Sequence, residues 1–271
     1  MGTLAVAAVA VGMAPSGGHS QQEAALTEDV IDLSADGSIE WLRDKNVYVA
    51  LGNARLRKKD QTYQAERLIA HYRKTPQGGT EVWRLELHQN VKVESPNATI
   101  SGDDAAYESD SQVFVVTGRQ PTMVTKNSTV SATDSIELWQ GKDLAVARGN
   151  AQVVQKDRTI QADVIVSYFK KKGEGSESQS AASAADTSGS NLDRIEATGN
   201  VVIKRQDSVL RSNKAVYDPD TDMAYLVGNV RITRGDNQMN GEYAEFNLTS
   251  NVGKLTGGGS QRVHGLFSGG Q

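Results

Sequence analysis

The stretch Gly149-Asn150-Ala151-Gln152-Val153-Val154-Gln155-Lys156-Asp157-Arg158-Thr159-Ile160-Gln161-Ala162-Asp163-Val164-Ile165 decides the fold. Apolar and polar residues alternate on both sides of Lys156-Asp157, which is the period of a half-buried strand, and Lys156-Asp157 itself is turn chemistry. Ile160, Ala162 and Val164 share one register, whereas Ile165 falls in the other. A one-residue parity change turns the following side chains to the opposite face unless a bulge absorbs it. The spacing therefore predicts two strands joined by a turn, with a bend or bulge beside Asp163.

The same layout recurs along the chain. Gly52-Asn53-Ala54-Arg55-Leu56, Gly199-Asn200-Val201-Val202-Ile203 and Gly228-Asn229-Val230-Arg231-Ile232 repeat the first half, at spacings that cluster near 30 residues. Gln89-Asn90-Val91-Lys92-Val93 is a copy that has lost its glycine, and Gly118 begins a looser one that runs to Met123 and Val124. The second half recurs in Tyr63-Gln64-Ala65-Glu66, Ile100-Ser101-Gly102-Asp103, Leu210-Arg211-Ser212-Asn213 and Met239-Asn240-Gly241-Glu242. Gly-Asn is read here as a positive-φ turn before each strand, so that each unit is two strands and two turns stacked on the unit before it. Six to eight units at about 4.8 Å would reach about 30–40 Å. Helical periodicity is not evident after the first residues, and the fold class is all-β.

Composition narrows the function. The chain has 271 residues, 29 basic against 33 acidic, a formal net charge of −4 and no cysteine. Without a basic excess it lacks the electrostatic footprint of a nucleic-acid binder. Without cysteine it has no disulfide, thiolate metal site or thiol nucleophile. Leu4 to Met13 is an apolar run of ten residues, half of the roughly 20 that a spanning helix needs. With Ala14-Pro15-Ser16-Gly17 after it, the run reads as a secretory signal peptide or leader over 1–25, although no Lys or Arg precedes it. A single domain is expected over 30–256. Within it, the Gly/Ser/Ala-rich 170–191 reads as a disordered inserted loop, and 257–271 as a flexible glycine-rich tail.

Candidate chemistry is sparse. Glu66, Asp103, Asp134, Asp163 and Glu242 recur at one place in the repeat. A row of carboxylates can hold a hard cation or do catalysis, but the favoured reading is of corner side chains that bond nearby backbone. His19, His71, His88 and His264 show no metal-binding spacing, and neither a nucleophile elbow nor a phosphate-binding loop occurs. Asp103-Asp104 is the carboxylate pair that a polysaccharide-processing β-solenoid enzyme would use. Trp41, Trp83 and Trp139 are expected to fill the core, with capping of the trough or anchoring of its edges as the alternative.

Repeated G-N-[VA]-x-[VIL] followed by [ILMY]-x-[ASG]-[DEN], in phase from about Ser34 to Leu255, resembles the OstA-like lipopolysaccharide-transport β-jellyroll family. The resemblance implies stacked antiparallel strands in a twisted, V-shaped, open two-sheet jellyroll whose interior holds lipid A acyl chains. It also implies a soluble periplasmic bridge between inner and outer membranes. The implied partners are lipopolysaccharide and the inner-membrane-tethered and outer-membrane translocon proteins of the same fold, with head-to-tail self-association. No cofactor, metal or catalytic residue is implied. Expected groove residues, taken from strand-start positions and the Val113 to Thr117 run, are Val91, Val93, Phe114, Val116, Val153, Ile160, Ile203, Leu210, Ile232 and Met239. The rival readings are the β-solenoid enzyme and a non-lipid structural repeat scaffold.

Overall fold

The computed structural model describes residues 31–76, 78–170, 192–250, 252–259 and 262–267. The expected leader over 1–25 and all but the first residue of the expected loop over 170–191 lie outside the described residues. Eighteen strands are present among those described: β1 Ile31–Ser34, β2 Ser38–Leu42, β3 Val47–Lys58, β4 Gln61–Lys74, β5 Thr80–Glu94, β6 Ala98–Glu108, β7 Val113–Thr117, β8 Thr122–Thr125, β9 Ser128–Ser131, β10 Ser135–Trp139, β11 Leu144–Gln155, β12 Arg158–Phe169, β13 Leu192–Arg205, β14 Val209–Asp218, β15 Met223–Arg234, β16 Asn237–Asn247, β17 Val252–Thr256 and β18 His264–Leu266. Two short 3-10 turns, Arg43–Lys45 and Gln140–Lys142, complete the elements.

All pairing is antiparallel. β1 and β2 lie end to end along β3, β7 and β8 along β6, β9 and β10 along β11, and β17 and β18 along β16. Each such pair is one pass broken in the middle. The described chain is thus a meander of fourteen passes, each bonded to the passes before and after it in sequence. Because every repeat unit contributes two passes rather than one, the stack is about 60 Å tall at about 4.8 Å per strand. That is roughly twice the height expected from the unit count. His264–Leu266 pairs with Gln238–Asn240 of β16, which carries the ladder past residue 256 into the glycine-rich stretch expected to fray.

Gly-Asn is not a turn. Gly149-Asn150 lies within β11, where the register jumps from Arg148↔Val164 to Ala151↔Ala162, so that two residues face the single Asp163 of β12. The same two-against-one bulge sits at Gly52-Asn53, Gln89-Asn90, Gly199-Asn200 and Gly228-Asn229. Both residues are left-handed at every copy, with φ of 80° and 42° at Gly149 and Asn150. The expected irregularity beside Asp163 is present, but the extra residue belongs to the neighbouring strand. The turns lie instead at strand ends, as at Lys156-Asp157 and 206–208.

The bulges line up into a corner. Buried positions on β12 are Ile160 and Ala162 before the corner, then Ile165 and Ser167 after it. Interior residues stay interior only if the strand folds there. One contact shows that it does: Arg158, at the start of β12, reaches Asp222 and the Tyr217 ring at the far end of β14 and the start of β15. Ten extended residues of β14 span about 33 Å, so opposite ends of strands two passes apart meet only when each strand doubles back at its bulge. The molecule is an all-β jellyroll whose two arms, one on each side of the corner, face each other across one continuous apolar core.

The tryptophans do not fill the core as favoured from the sequence, and Trp41 stands at an edge, as in the alternative. Trp41 is half exposed on β2, while Trp83 and Trp139 are partly covered outside the core cluster. Each carries a cation over its ring, from Arg43, Arg73 and Lys142 respectively. An indole that keeps its N–H near water and its face on a cation has little to gain from the interior. Trp41 donates its N–H to the Tyr72 hydroxyl, and Trp139 donates to Glu137.

Candidate functional site: the apolar interior, its corner and its mouth

The arm nearest the β11–β12 turn contributes β-branched and leucine side chains. Val91, Val93, Val153, Ile160, Ile203, Leu210 and Ile232 are all buried on it, and Met239 packs against them partly exposed. Phe114 and Val116 belong to the opposite arm and are also buried. All ten sequence-derived residues therefore lie in or against one core. Sequence reasoning missed most of the second arm, which Leu68, Leu87, Ile136, Leu138, Ile165 and Leu226 fill. The signal was available: restarting the alternation after each corner acid puts Leu68 and Ile165 inside.

At three corners the acid or amide packs against the bulge glycine that follows it in sequence. A Cβ at Gly199 would overlap the Asp163 carboxylate, one at Gly149 would overlap Asp134, and one at Gly228 would come within 2.6 Å of Asn213 Nδ2. The bulge asparagines close the arrangement. Asn53 Nδ2 donates to Asp36 Oδ2 at 2.9 Å, and Asn200 Nδ2 donates to Asp163 Oδ2 at 3.0 Å. Arg119 N–H donates to Asp103 Oδ2 at 3.0 Å. These carboxylates are spent on neighbouring amides, which favours the corner-forming reading over a cation or catalytic row. No group of three or more His, Asp or Glu placed to hold a metal occurs among the described residues. Asp104, the other half of the Asp103-Asp104 pair, accepts from His88 Nδ1 at 2.9 Å on the outer face.

At the mouth, where the free ends of the arms meet, Arg158 Nε donates to Gln155 Oε1 at 2.8 Å, and its Nη1 lies 3.5 Å from Asp222 Oδ1. Its guanidinium stands 4.8 Å from the centre of the Tyr217 ring. Tyr217 donates to the same Asp222 oxygen at 2.8 Å, and Thr249 donates to the other. Burial works to raise the Asp222 carboxyl, but these donors and the Arg158 charge outweigh it and hold the group below the usual carboxylate range. Further along the mouth, burial pushes the Tyr63 phenol well up, and Tyr107 adds to the shift.

Two edges of the ladder have no neighbour in the described chain, the β1/β2 pass and the β17/β18 pass. Ser38–Glu66 is a second version of Ser135–Asp163, 97 residues on, with matching edge strand, 3-10 turn, left-handed cap and bulge. In the inner version Ile136 and Leu138 of β10 are covered by Val116 and Phe114 of β7 and are 1 % and 0 % exposed. Their edge counterparts Ile39 and Trp41 are 48 % and 50 % exposed.

Residues 132–252 match the family described as LptA/(LptD N-terminal domain) LPS transport protein. That stretch holds the bulges at Gly149, Gly199 and Gly228 with their facing residues Asp163, Asn213 and Glu242. In those residues the chain is similar to the OstA-like lipopolysaccharide-transport family. Among curated relatives, the LPS-assembly protein LptD of Burkholderia ambifaria is 34% identical over 73 residues, 27% of this chain and 9% of that protein. LptD of Nitrosomonas eutropha is 36% identical over 61 residues, 22% of this chain and 8% of its own length. The matched stretches thus cover less than a tenth of those relatives. Among solved structures, LptH of Pseudomonas aeruginosa, described as the LptA homologous periplasmic component of a lipopolysaccharide transport device, aligns with a TM-score of 0.42 at 16% identity. That alignment covers 52% of this chain and 95% of LptH. The same bulged strand layout is present before the matched stretch, at Gly52-Asn53 and Gln89-Asn90.

Proposed function

We propose that this chain shelters the acyl chains of lipopolysaccharide between its two arms and hands the lipid along in the periplasm, from the inner towards the outer membrane. The observation that carries the reading is the core itself: one apolar interior runs unbroken through fourteen passes and reaches both unpaired edges. An ordinary domain seals the ends of its core, whereas here Ile39 and Trp41 leave the interior-facing side of one end uncovered. Each CH₂ moved from water into such an interior gains about 0.8 kcal/mol. A chain of about a dozen CH₂ groups therefore supplies roughly 10 kcal/mol gross, from which the parting of the arms is subtracted. The role is one of binding and relay rather than catalysis.

The partners follow from the edges. An edge strand with unpaired N–H and C=O groups accepts another strand. The internal β7–β10 pair is a template for what fits, because β17 lies on β16 in the register that β7 keeps on β6. Leu255 takes the place of Val116 and Gly253 that of Phe114, while Trp41 takes the place of Leu138. The large Trp41 would meet the small Gly253. A second copy, or another jellyroll with the same edge, would continue both the sheet and the interior, and repeated addition without closure makes a filament.

The test is direct. Purified protein is incubated with lipid A in detergent-free buffer, separated by gel filtration, and its bound lipid is measured by mass spectrometry. Stoichiometric lipid that is lost on Ile160→Asp, in a variant that still melts cooperatively, supports the reading. A folded wild-type chain that carries no lipid contradicts it.

A further inference from the structure

Charges of both signs line the two lips of the mouth, and several of them pair within their own lip. On the lip that holds Arg158, the cations Lys156, Lys204, Arg205 and Arg234 alternate with Asp157, Asp207 and Asp236. Arg234 pairs with Asp207 at 2.7 Å, and Arg158 itself lies 3.7 Å from Asp157. On the facing lip Asp218 and Asp222 flank Asp220, which pairs with Lys170 at 2.7 Å. Arg158 is the residue that spans the gap. Its side chain is 16% exposed and that of Asp222 is 25% exposed, so the pair sits in the closing seam rather than on an open surface. The contact is a loose one for an ion pair. At 3.5 Å to one carboxylate oxygen, it falls short of the two-point geometry that a guanidinium makes with a carboxylate or phosphate. Asp222 is meanwhile held in place by Tyr217, Thr249 and the backbone N–H of Leu248 on its carbonyl, all from its own lip. Arg158 can therefore leave without unmaking the site that it leaves.

We propose that Arg158 clasps the mouth shut against Asp222 and Tyr217, and that it exchanges them for the phosphate of an anionic lipid when acyl chains part the arms. The inference rests on the reading of the interior as an acyl-chain site and adds to it a contact for the headgroup. Apolar chains and a phosphate on one molecule would act together: the chains supply the energy to part the lips, and the phosphate takes over the cation that held them. Inorganic phosphate has only the second half and leaves the lips closed.

The chain has no cysteine, so spin labels placed by Lys156→Cys and Thr221→Cys report the width of the mouth by pulsed dipolar spectroscopy. Arg158→Gln and Asp222→Asn each widen the distance distribution without any lipid, and lipid A widens the wild-type distribution in the same direction. Inorganic phosphate does not. The two variants then separate. Asp222→Asn retains a preference of about tenfold for bisphosphorylated lipid A over its dephosphorylated form, the range expected for losing hydrogen bonds to a charged group. Arg158→Gln brings that preference close to unity. Circular dichroism confirms the folded state, and Tyr217→Phe provides a milder opening should either charge variant misfold. Lips that stay at one distance in all three variants overturn the clasp, and an unchanged preference in Arg158→Gln overturns the headgroup contact. A wild-type chain that takes up no lipid A would instead refute the acyl-chain reading, while the variant distances without lipid still decide the clasp.

Discussion

Asn200 donates its side-chain amide to the carboxylate of Asp163 at 3.0 Å, from the bulge of β13 to the corner residue of β12. Gly199, immediately before it, has φ +80° and leaves no room for a Cβ against the same carboxylate. Glycine is therefore required twice over, by backbone angle and by close approach. Gly199→Ala should cost about 2–3 kcal/mol, from left-handed strain plus displacement of Asp163. Gly235 is a control, with φ +54° and open space around it, and Gly235→Ala should cost about 1 kcal/mol. Urea denaturation of both, and of Gly199→Ala combined with Asp163→Ala, separates the two contributions: the double variant loses less than the sum of the singles.

Gln89 occupies the glycine place of its bulge at φ +65°, opposite Asp103 of β6 and beside Glu66 of β4. It carries the left-handed strain that a glycine would not. Gln89→Gly should raise stability by about 0.5–1 kcal/mol, the left-handed penalty less the extra entropy of the unfolded glycine. A lower urea midpoint for that variant would mean that Gln89 makes a contact worth more than its strain.

These corners show how far the sequence could be read. Alternation, turn pairs and the recurring Gly-Asn were enough for antiparallel strands in phase, and the parity change at Asp163 located the bend. The function of Gly-Asn was not legible, because two left-handed residues in a row serve a hairpin turn and a mid-strand bulge equally well. Only the pairing of Arg148 with Val164 and of Ala151 with Ala162 separates the two. The interior was half legible for the same reason. Ile160 and Ile203 precede the corner and keep simple alternation, whereas Ile165 and Leu226 lie beyond a corner that resets it. The mouth was not legible at all, since Arg158 and Asp222 are 64 residues apart and meet only because both strands fold.

Glu137 is a pH-sensitive support of the outer face. Its side chain is 13% exposed and accepts from Arg148 Nε at 2.7 Å, Trp139 Nε1 at 3.0 Å and Ser135 Oγ at 3.1 Å. Burial works to raise its carboxyl, but these donors outweigh it and hold the group below the usual range. A carboxyl lowered by folding stabilises the fold at pH above its unfolded value of about 4.3, and the contribution is lost as pH falls through the folded value. Glu137→Gln should therefore melt lower than wild type at pH 7, and the gap should narrow as pH falls below about 4. A gap independent of pH would assign the loss to packing alone.

Ile39 should matter to association and not to the fold. It is 48% exposed on the β2 edge, so Ile39→Lys should change the stability of the single chain by no more than about 0.5 kcal/mol. A lysine that faces inward from an edge strand opposes strand addition. Sedimentation velocity over a concentration series should show wild-type chain forming larger species and the variant remaining monomeric. Equal association of both would place the contact elsewhere.

The central claim is that acyl chains lie between the arms, and photo-crosslinking in cells tests it most directly. A photoreactive residue is placed at Ile160 on one arm, at Leu226 on the other, and at the outward-facing Gln161. The account predicts lipopolysaccharide adducts at Ile160 and Leu226 and none at Gln161. Folded, well-expressed protein with no adduct at either interior position, or with equal adducts at Gln161, would contradict it.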